Sequence, residues 1–138
     1  QLKSVIAAAC LAHDVGNPAF GHSGEAAISN YFEKFADEII EGKKLKDHCT
    51  LEEWQDLINF EGNANAIRIL SRQYAGKAAG GLRLTYTTLA SLLKYPCASN
   101  ETSRMYKHRK KYGFFRSDQK IFEEIAANTN MIKDDNAE

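Results

Sequence analysis

An all-α fold is predicted by three observations. Apolar residues recur at helical spacing through most of the chain. Several of these runs open on a Ser or Thr and close on a Gly or Pro. No convincing run of alternating apolar and polar residues competes with them, residues 82–86 being the one short candidate for a strand. The 138 residues, 43% apolar and 26% charged, are enough for one domain with a real core. Eighteen basic and eighteen acidic residues cancel, which removes any overall bias towards nucleic acid or an acidic membrane. No apolar run approaches the roughly 20 residues needed to span a bilayer, so no membrane partner is expected. Cys10, Cys49 and Cys97 are far apart and form no C-x-x-C pair, which suggests reduced thiols and a cytoplasmic setting.

Residues 2–12 should form the first helix. Ala and Leu are strong helix formers, and the segment holds no Gly or Pro. It is apolar nearly all round, so a central, buried helix is expected, with Cys10 as a small core residue. This apolar run lacks the charged leader of a signal peptide. It starts almost at residue 1, so the chain is expected to begin mid-domain. Gly16-Asn17-Pro18 stops the helix, because Pro18 disfavours the α conformation at Asn17.

Ser23 is the expected cap of a second helix. Ile28, Tyr31, Phe32, Phe35 and Ile39 fall on one face of it, and Gly42 ends it before a charged loop over residues 42–48. Thr50-Leu51-Glu52-Glu53 has the capping-box pattern, with Trp54, Leu57 and Ile58 on the buried side of a third helix. A fourth should cover residues 66–74 through Ile67, Leu70 and Tyr74. A glycine-rich break over residues 76–81 separates it from a fifth over residues 85–95. There Thr85 is the cap, Tyr86, Leu89, Leu92 and Leu93 point inward, and Pro96 closes the element. Residues 97–103 read as a polar loop. Ser117 is the expected cap of a last helix to about Ala127, burying Ile121, Phe122 and Ile125, with a polar tail or linker over residues 128–138.

The chemistry concentrates in A-H-D-V-G-N-P-A-F-G-H-S-G-E, residues 12–25. Burying Asp14 at the end of an apolar helix is costly unless a partner or a cation meets it. His13 and Asp14 are ligand types of borderline and hard divalent metals, and both stand where the helix ends. Read without a metal, they are a helix-end His and a turn-forming Asp. His22 and Glu25 are three residues apart across a helix start, so their side chains can meet. A carboxylate that holds one imidazole nitrogen fixes the tautomer and frees the other nitrogen to move a proton near neutral pH. The plainer reading makes Glu25 a first-turn charge favoured by the helix dipole.

H-D-V-G-N-P-A-F-G-H-S-G-E resembles the signature of HD-domain deoxynucleoside triphosphate triphosphohydrolases, the dGTPase-like family. F-E-G-N-A-N-A-I-R-I-L from Phe60, G-L-R-L-T-Y-T-T-L-A-S-L-L-K-Y-P from Gly81 and K-K-Y-G-F-F from Lys110 are similar to further stretches of that family, in the same order. The resemblance runs to about residue 125. It implies a partial HD-domain helical fold, with residues 1–127 as the central part of an HD phosphohydrolase domain. It implies hydrolysis of a deoxynucleoside triphosphate, dGTP being the expected one, to the deoxynucleoside and intact triphosphate. It implies a divalent metal, Mg or Mn or another such as Zn, Fe, Co or Ni, on His13 and Asp14. His22 and Glu25 match the family's catalytic His and its carboxylate partner. Asn17 is assigned with them as a substrate-binding residue.

The departures are specific. The family takes another metal-binding His from an upstream helix and another Asp from a downstream one. Only twelve residues precede His13, and Asp134-Asp135 lies in K-D-D-N-A-E without the flanking apolar residues expected. His48 and His108 fall in polar segments and are poor substitutes. Ala19 stands where the family commonly has a second proline. The chain thus reads as an internal fragment of a longer enzyme, carrying half of the metal site.

Other candidates stay open between two readings. Asn63 and Asn65 can bond a base or sugar, or simply cap a helix. Lys94 and Tyr95 can contact triphosphate or sugar, or Lys94 can merely favour a helix C-terminus. The segment from Arg104 to Arg116 interleaves Lys107, Arg109, Lys110 and Lys111 with Tyr106, Tyr112, Phe114 and Phe115. It is a solvated charged face, or a surface for single-stranded nucleic acid or a regulatory nucleotide through charge and stacking. A homo-oligomer is expected, since family members often assemble. A non-catalytic nucleotide- or nucleic-acid-binding module and another HD-type phosphohydrolase are the competing functions.

Overall fold

The computed structural model describes residues 1–76, 79, 81–101 and 111–132. Among them the chain is mostly helical: α1 (Leu2–Ala12), α2 (His22–Lys34), α3 (Leu51–Ile58), α4 (Gly62–Ser71), α5 (Tyr86–Leu92) and α6 (Gln119–Thr129). A two-stranded antiparallel hairpin, β1 (Ile39–Ile40) and β2 (Lys43–Lys44), pairs Ile39 with Lys44 and Ile40 with Lys43. Short 3-10 turns stand at Leu45–His48, Ser99–Glu101 and Arg116–Asp118. Residues 82–86 form no strand.

The buried helix is α4, not α1. Its sequence, G-N-A-N-A-I-R-I-L-S, alternates small residues with aliphatic ones. Gly62, Ala64, Ala66, Ile67 and Leu70 are buried. Ile67 and Leu70 join Ala9, Leu89, Leu92 and Ile125 in one core. Ala64 joins Cys97, Tyr112 and Phe115 in a second, flanked by Phe60 and Tyr95. The small residues let neighbouring backbone come close: a Cβ on Gly16 would sit 2.1 Å from the Gly62 carbonyl oxygen. By contrast, α1 packs mainly on α5, and only Ala9 of α1 is buried. Leu2, Ile6 and Leu11 are exposed, and so is Cys10, contrary to its expected place in the core. Cys10 and Cys49 are free thiols.

Local signals read from the sequence decide several boundaries. Thr50 and Glu53 make both halves of the capping box on α3, and Thr85 accepts from Thr88 N to cap α5. The cap of α2 is Gly21, because the helix starts one residue before Ser23. Phe35 ends α2, and Ile39, expected on its apolar face, sits instead in the exposed hairpin. There Glu41 (φ 47) and Gly42 (φ 80) supply the two left-handed residues that a tight hairpin turn requires. Tyr74 lies beyond α4 and is exposed, and Tyr86 is exposed on α5, so neither takes its expected inner place. The loop expected over residues 97–103 is in part core: Cys97, Ala98 and Ser99 are buried, and Ala98 bridges to Phe114. The cap position of α6 is Asp118 rather than Ser117. The helix runs to Thr129, where Asn130 turns left-handed (φ 53).

Phe32 meets Trp54 edge to face at 6.0 Å and ties α2 to α3. The one fully buried side chain of α3 is polar. Asp56 accepts from Arg116 N (2.9 Å), Ser117 N (3.3 Å), Ser117 Oγ (3.1 Å) and Ser99 Oγ (3.2 Å), fastening the entry to α6 against α3. Arg68 reaches the same corner from α4. It pairs with Asp118 at 2.8 Å and stacks 4.1 Å from the centre of the Phe115 ring.

Candidate active site

The first pair stands where α1 ends. His13 is the cap residue, Asp14 follows it, and the turn closes through Val15 N to Ala12 O and Asn17 N to Asp14 O, both 3.1 Å. His13 Nδ1 donates to the Cys10 carbonyl at 2.6 Å. A carbonyl only accepts, so the hydrogen is on Nδ1, and a neutral ring carries its lone pair on Nε2. That atom lies 2.9 Å from Asp14 Oδ2. Both side chains are exposed, His13 by 63% and Asp14 by 65%, so Asp14 is not the buried carboxylate expected at the end of the helix, and the contact is satisfied by a proton on Nε2 or by a cation shared between the two atoms. Asp14 Oδ1 accepts from Asn17 Nδ2 at 2.9 Å, which orients the carboxylate. The donor atoms fit a borderline divalent metal in kind. They do not complete a ligand set: among the described residues, no group of three or more His, Cys, Asp or Glu is placed to hold an ion. His48 bonds to the Ile40 carbonyl beside the hairpin. His108, Asp134 and Asp135 lie outside the described residues.

The second pair stands where α2 begins. Phe20 (φ 69) and Gly21 (φ 53) reverse the chain in two left-handed steps. The reversal is tight, since a Cβ on Gly24 would come within 2.0 Å of the Ala19 carbonyl oxygen. His22 Nδ1 then donates to Glu25 Oε2 at 2.8 Å. The imidazole is 85% exposed and the carboxylate only 11%, so Nε2 is open to exchange protons while its partner is shielded. Burial by itself would raise the Glu25 pKa. The His22 bond, the Gly62 N–H and the charge of Lys111 outweigh it and hold the carboxyl below its usual range. An ionised Glu25 keeps the hydrogen of His22 on Nδ1.

The turn that follows the first pair and the carboxylate of the second are both seated on the N-terminal part of α4. Gly62 N donates to Glu25 Oε1 at 2.9 Å, and Asn65 Nδ2 donates to the Gly16 carbonyl at 2.9 Å. A Cβ on Gly62 would lie 2.5 Å from Asn17 Oδ1 and 2.8 Å from Glu25 Oε1. One glycine thus abuts the residue that orients Asp14 and the residue that orients His22. Beside the second pair opens a cleft of about 470 Å³ lined by His22, Glu25, Ser29, Glu61, Lys111 and Tyr112, among others.

The remaining candidates are placed unevenly. Asn17 is engaged by Asp14. Asn63 donates to Glu61 Oε1 at 2.6 Å, and Asn65 holds the Gly16 turn. Both Asn63 and Asn65 lie inside α4, whose cap is Glu61. Lys94 lies 5.4 Å over the Tyr95 ring, and Tyr95 packs on the second core; neither lines the cleft. Of the basic segment, residues 104–110 lie outside the described residues. Glu61, Gly62 and Lys111 carry much of the site's geometry; the sequence offers Lys111 only as part of the basic segment and gives Glu61 and Gly62 no role, although all three stand in the F-E-G-N and K-K-Y-G-F-F stretches. No helix among the described residues is long and apolar enough to cross a membrane.

Residues 2–96 match the HD domain family. The chain is 39% identical over 131 residues to a deoxyguanosinetriphosphate triphosphohydrolase-like protein of Pseudomonas aeruginosa, covering 95% of this chain and 28% of that protein. It is 40% identical over 135 residues to a protein of the same description from Synechocystis, covering 93% and 30%. It is 33% identical over 153 residues to the deoxyguanosinetriphosphate triphosphohydrolase of Yersinia enterocolitica, covering 94% and 29%. The chain spans under a third of the length of the curated relatives it matches.

Proposed function

Because the chain belongs to the HD domain family, we propose that the full-length protein is a metal-dependent dNTP triphosphohydrolase, with dGTP as the expected substrate. The observation that carries this reading is the meeting, at Gly62 of α4, of Asn17, which orients Asp14 of the His13–Asp14 pair, and Glu25, which orients His22. The relatives' names support the same activity.

In this reading water adds at the α-phosphorus, and the bond to the 5′ oxygen breaks to release deoxynucleoside and triphosphate. His22 Nε2 moves the proton that this exchange requires. Glu25 keeps the ring in the needed tautomer and favours its charged form as the proton arrives. His13 and Asp14 supply two ligands to a divalent metal, and Asn17 holds Asp14 in place. When bound, that metal polarises phosphoryl oxygen and lowers the pKa of bound water. Asn17, Asn63, Asn65, Lys94 and Tyr95 are the substrate-binding residues of this proposal. The enzyme is read as a cytoplasmic homo-oligomer, with residues 1–127 in the HD phosphohydrolase domain and residues 128–138 as tail or linker.

The test uses the full-length protein with Mn²⁺ and each dNTP in turn. His22→Gln and Glu25→Gln should each lower kcat by about 10²–10⁴-fold while metal binding persists. A His22→Gln protein that turns over like the parent would contradict the assignment.

A further inference from the structure

Lys111 has no part in the reading above, yet the fold takes trouble to hold it. It precedes Tyr112-Gly113-Phe114-Phe115, all four of which are buried. The backbone there is pinned on several sides. Cys97 Sγ donates to the Lys111 carbonyl at 3.3 Å, Gly113 N donates to the Cys97 carbonyl at 3.1 Å, and the Tyr112 hydroxyl donates to the Asn59 carbonyl. From this fixed base the side chain reaches into the cleft. Its Nζ lies 2.9 Å from Glu61 Oε2 and 3.1 Å from Glu61 Oε1. It also lies 3.8 Å from Glu25 Oε2, the same oxygen that accepts from His22.

Without this ammonium the cleft would hold two buried carboxylates, and like charges in one shielded site drive one of them to take up a proton. A protonated Glu25 would no longer hold His22 through a charged bond. We propose that Lys111 is a positioning residue for the His22–Glu25 pair: bound to Glu61 and facing Glu25, it keeps Glu25 ionised and the imidazole aligned. The proposal rests on His22–Glu25 being the proton-handling pair. Among the described residues, the groups that face Glu25 are His22 from its own helix, Glu61 and the Gly62 N–H at the start of α4, and Lys111 and Tyr112 from the aromatic segment. Burial pushes the Tyr112 phenol far up, so it adds no charge there.

The test follows the Glu25 side-chain carboxyl by ¹³C NMR through an acid titration of the chain and three variants. Lys111→Met should move the Glu25 midpoint up by roughly half to one pH unit, the interaction of unit charges about 4 Å apart in a watery dielectric. Lys111→Arg should restore it. Glu61→Gln should move it down, because a negative neighbour is lost and Lys111 is released towards Glu25. In the full-length protein, the acid limb of the pH–rate profile should rise with Lys111→Met. A Glu25 midpoint that stays with the parent in both Lys111→Met and Glu61→Gln would overturn the proposal. Should Lys111→Met fail to fold, Glu61→Gln decides alone, a downward shift supporting the proposal and no shift overturning it. The NMR titration uses no nucleotide. A full-length protein that releases no triphosphate would overturn the functional reading and leave this result standing.

Discussion

Replacing Gly16 by alanine tests the seat of the site most sharply. Space, not backbone angle, requires glycine at this position. A Cβ there would lie 2.1 Å from the Gly62 carbonyl oxygen and 2.2 Å from Ala66 N, both backbone atoms of the buried helix α4. Relief needs the turn to withdraw by about 1 Å, which carries two hydrogen bonds beyond useful range. They are Asn65 Nδ2 to the Gly16 carbonyl and Gly62 N to Glu25, each 2.9 Å in the native fold. Overpacking costs about 1–3 kcal/mol. The neutral bond adds about 1 kcal/mol and the carboxylate bond about 1.5–3 kcal/mol. The expected loss is therefore about 3.5–7 kcal/mol, a large share of the roughly 5–15 kcal/mol that holds an ordinary domain folded. Gly42→Ala is the control, since Gly42 has φ 80 and nothing within 4 Å, so only the left-handed backbone is penalised, at about 1–2 kcal/mol. Urea unfolding followed by circular dichroism compares the two variants. A Gly16→Ala chain that loses no more stability than Gly42→Ala would refute the reasoning that the turn is wedged against α4.

Other outcomes follow from the same geometry. Asp56→Ala removes the hydrogen bonds that Ser99 Oγ, Arg116 N, Ser117 N and Ser117 Oγ make to this carboxylate and should cost about 2–4 kcal/mol in thermal unfolding, whereas a change within about 0.5 kcal/mol would mean the corner is not held this way. Glu25 has a folded-state pKa below its usual value of 4.5, so its contribution to stability is present above that value and drains away as pH falls through the lowered one. The stability of Glu25→Gln should accordingly vary less with pH in that acid window, and curves of equal steepness would show that Glu25 is not the group involved. Because no third His, Cys, Asp or Glu among the described residues joins His13 and Asp14 in a group placed to hold an ion, titration calorimetry should find weak Mn²⁺ binding to the 138-residue chain, abolished by His13→Ala. Tight one-to-one binding would contradict that count of ligands.

The helices were legible because their signals are local. The Thr50–Glu53 capping box and the Thr85 cap act within four residues, and Gly16-Asn17-Pro18 stops α1 by its own backbone chemistry. The His22–Glu25 bond was legible for the same reason, being an i, i+3 contact on one helix. What could not be read is long-range. Composition alone made α1 the central helix, but burial depends on which surfaces meet, and the small residues of α4 allow the closer approach. Ile39 kept the helical spacing of α2 but belongs to a hairpin, because Glu41 and Gly42 turn the chain there. Glu61, Gly62 and Lys111 reach the site across 36 to 86 residues of chain from Glu25 and carry no short-range spacing to announce them. Asp56 was missed similarly: a carboxylate on a helix reads as wet until the donors from Ser99, Arg116 and Ser117 fold over it.

The identity of the phosphate product is the most direct test of the central claim. Full-length protein incubated with dGTP and Mn²⁺ should release deoxyguanosine and intact inorganic triphosphate in equal amounts, with His22→Gln slowing the release of both by about 10²–10⁴-fold. Pyrophosphate or orthophosphate as the sole phosphate product would contradict it.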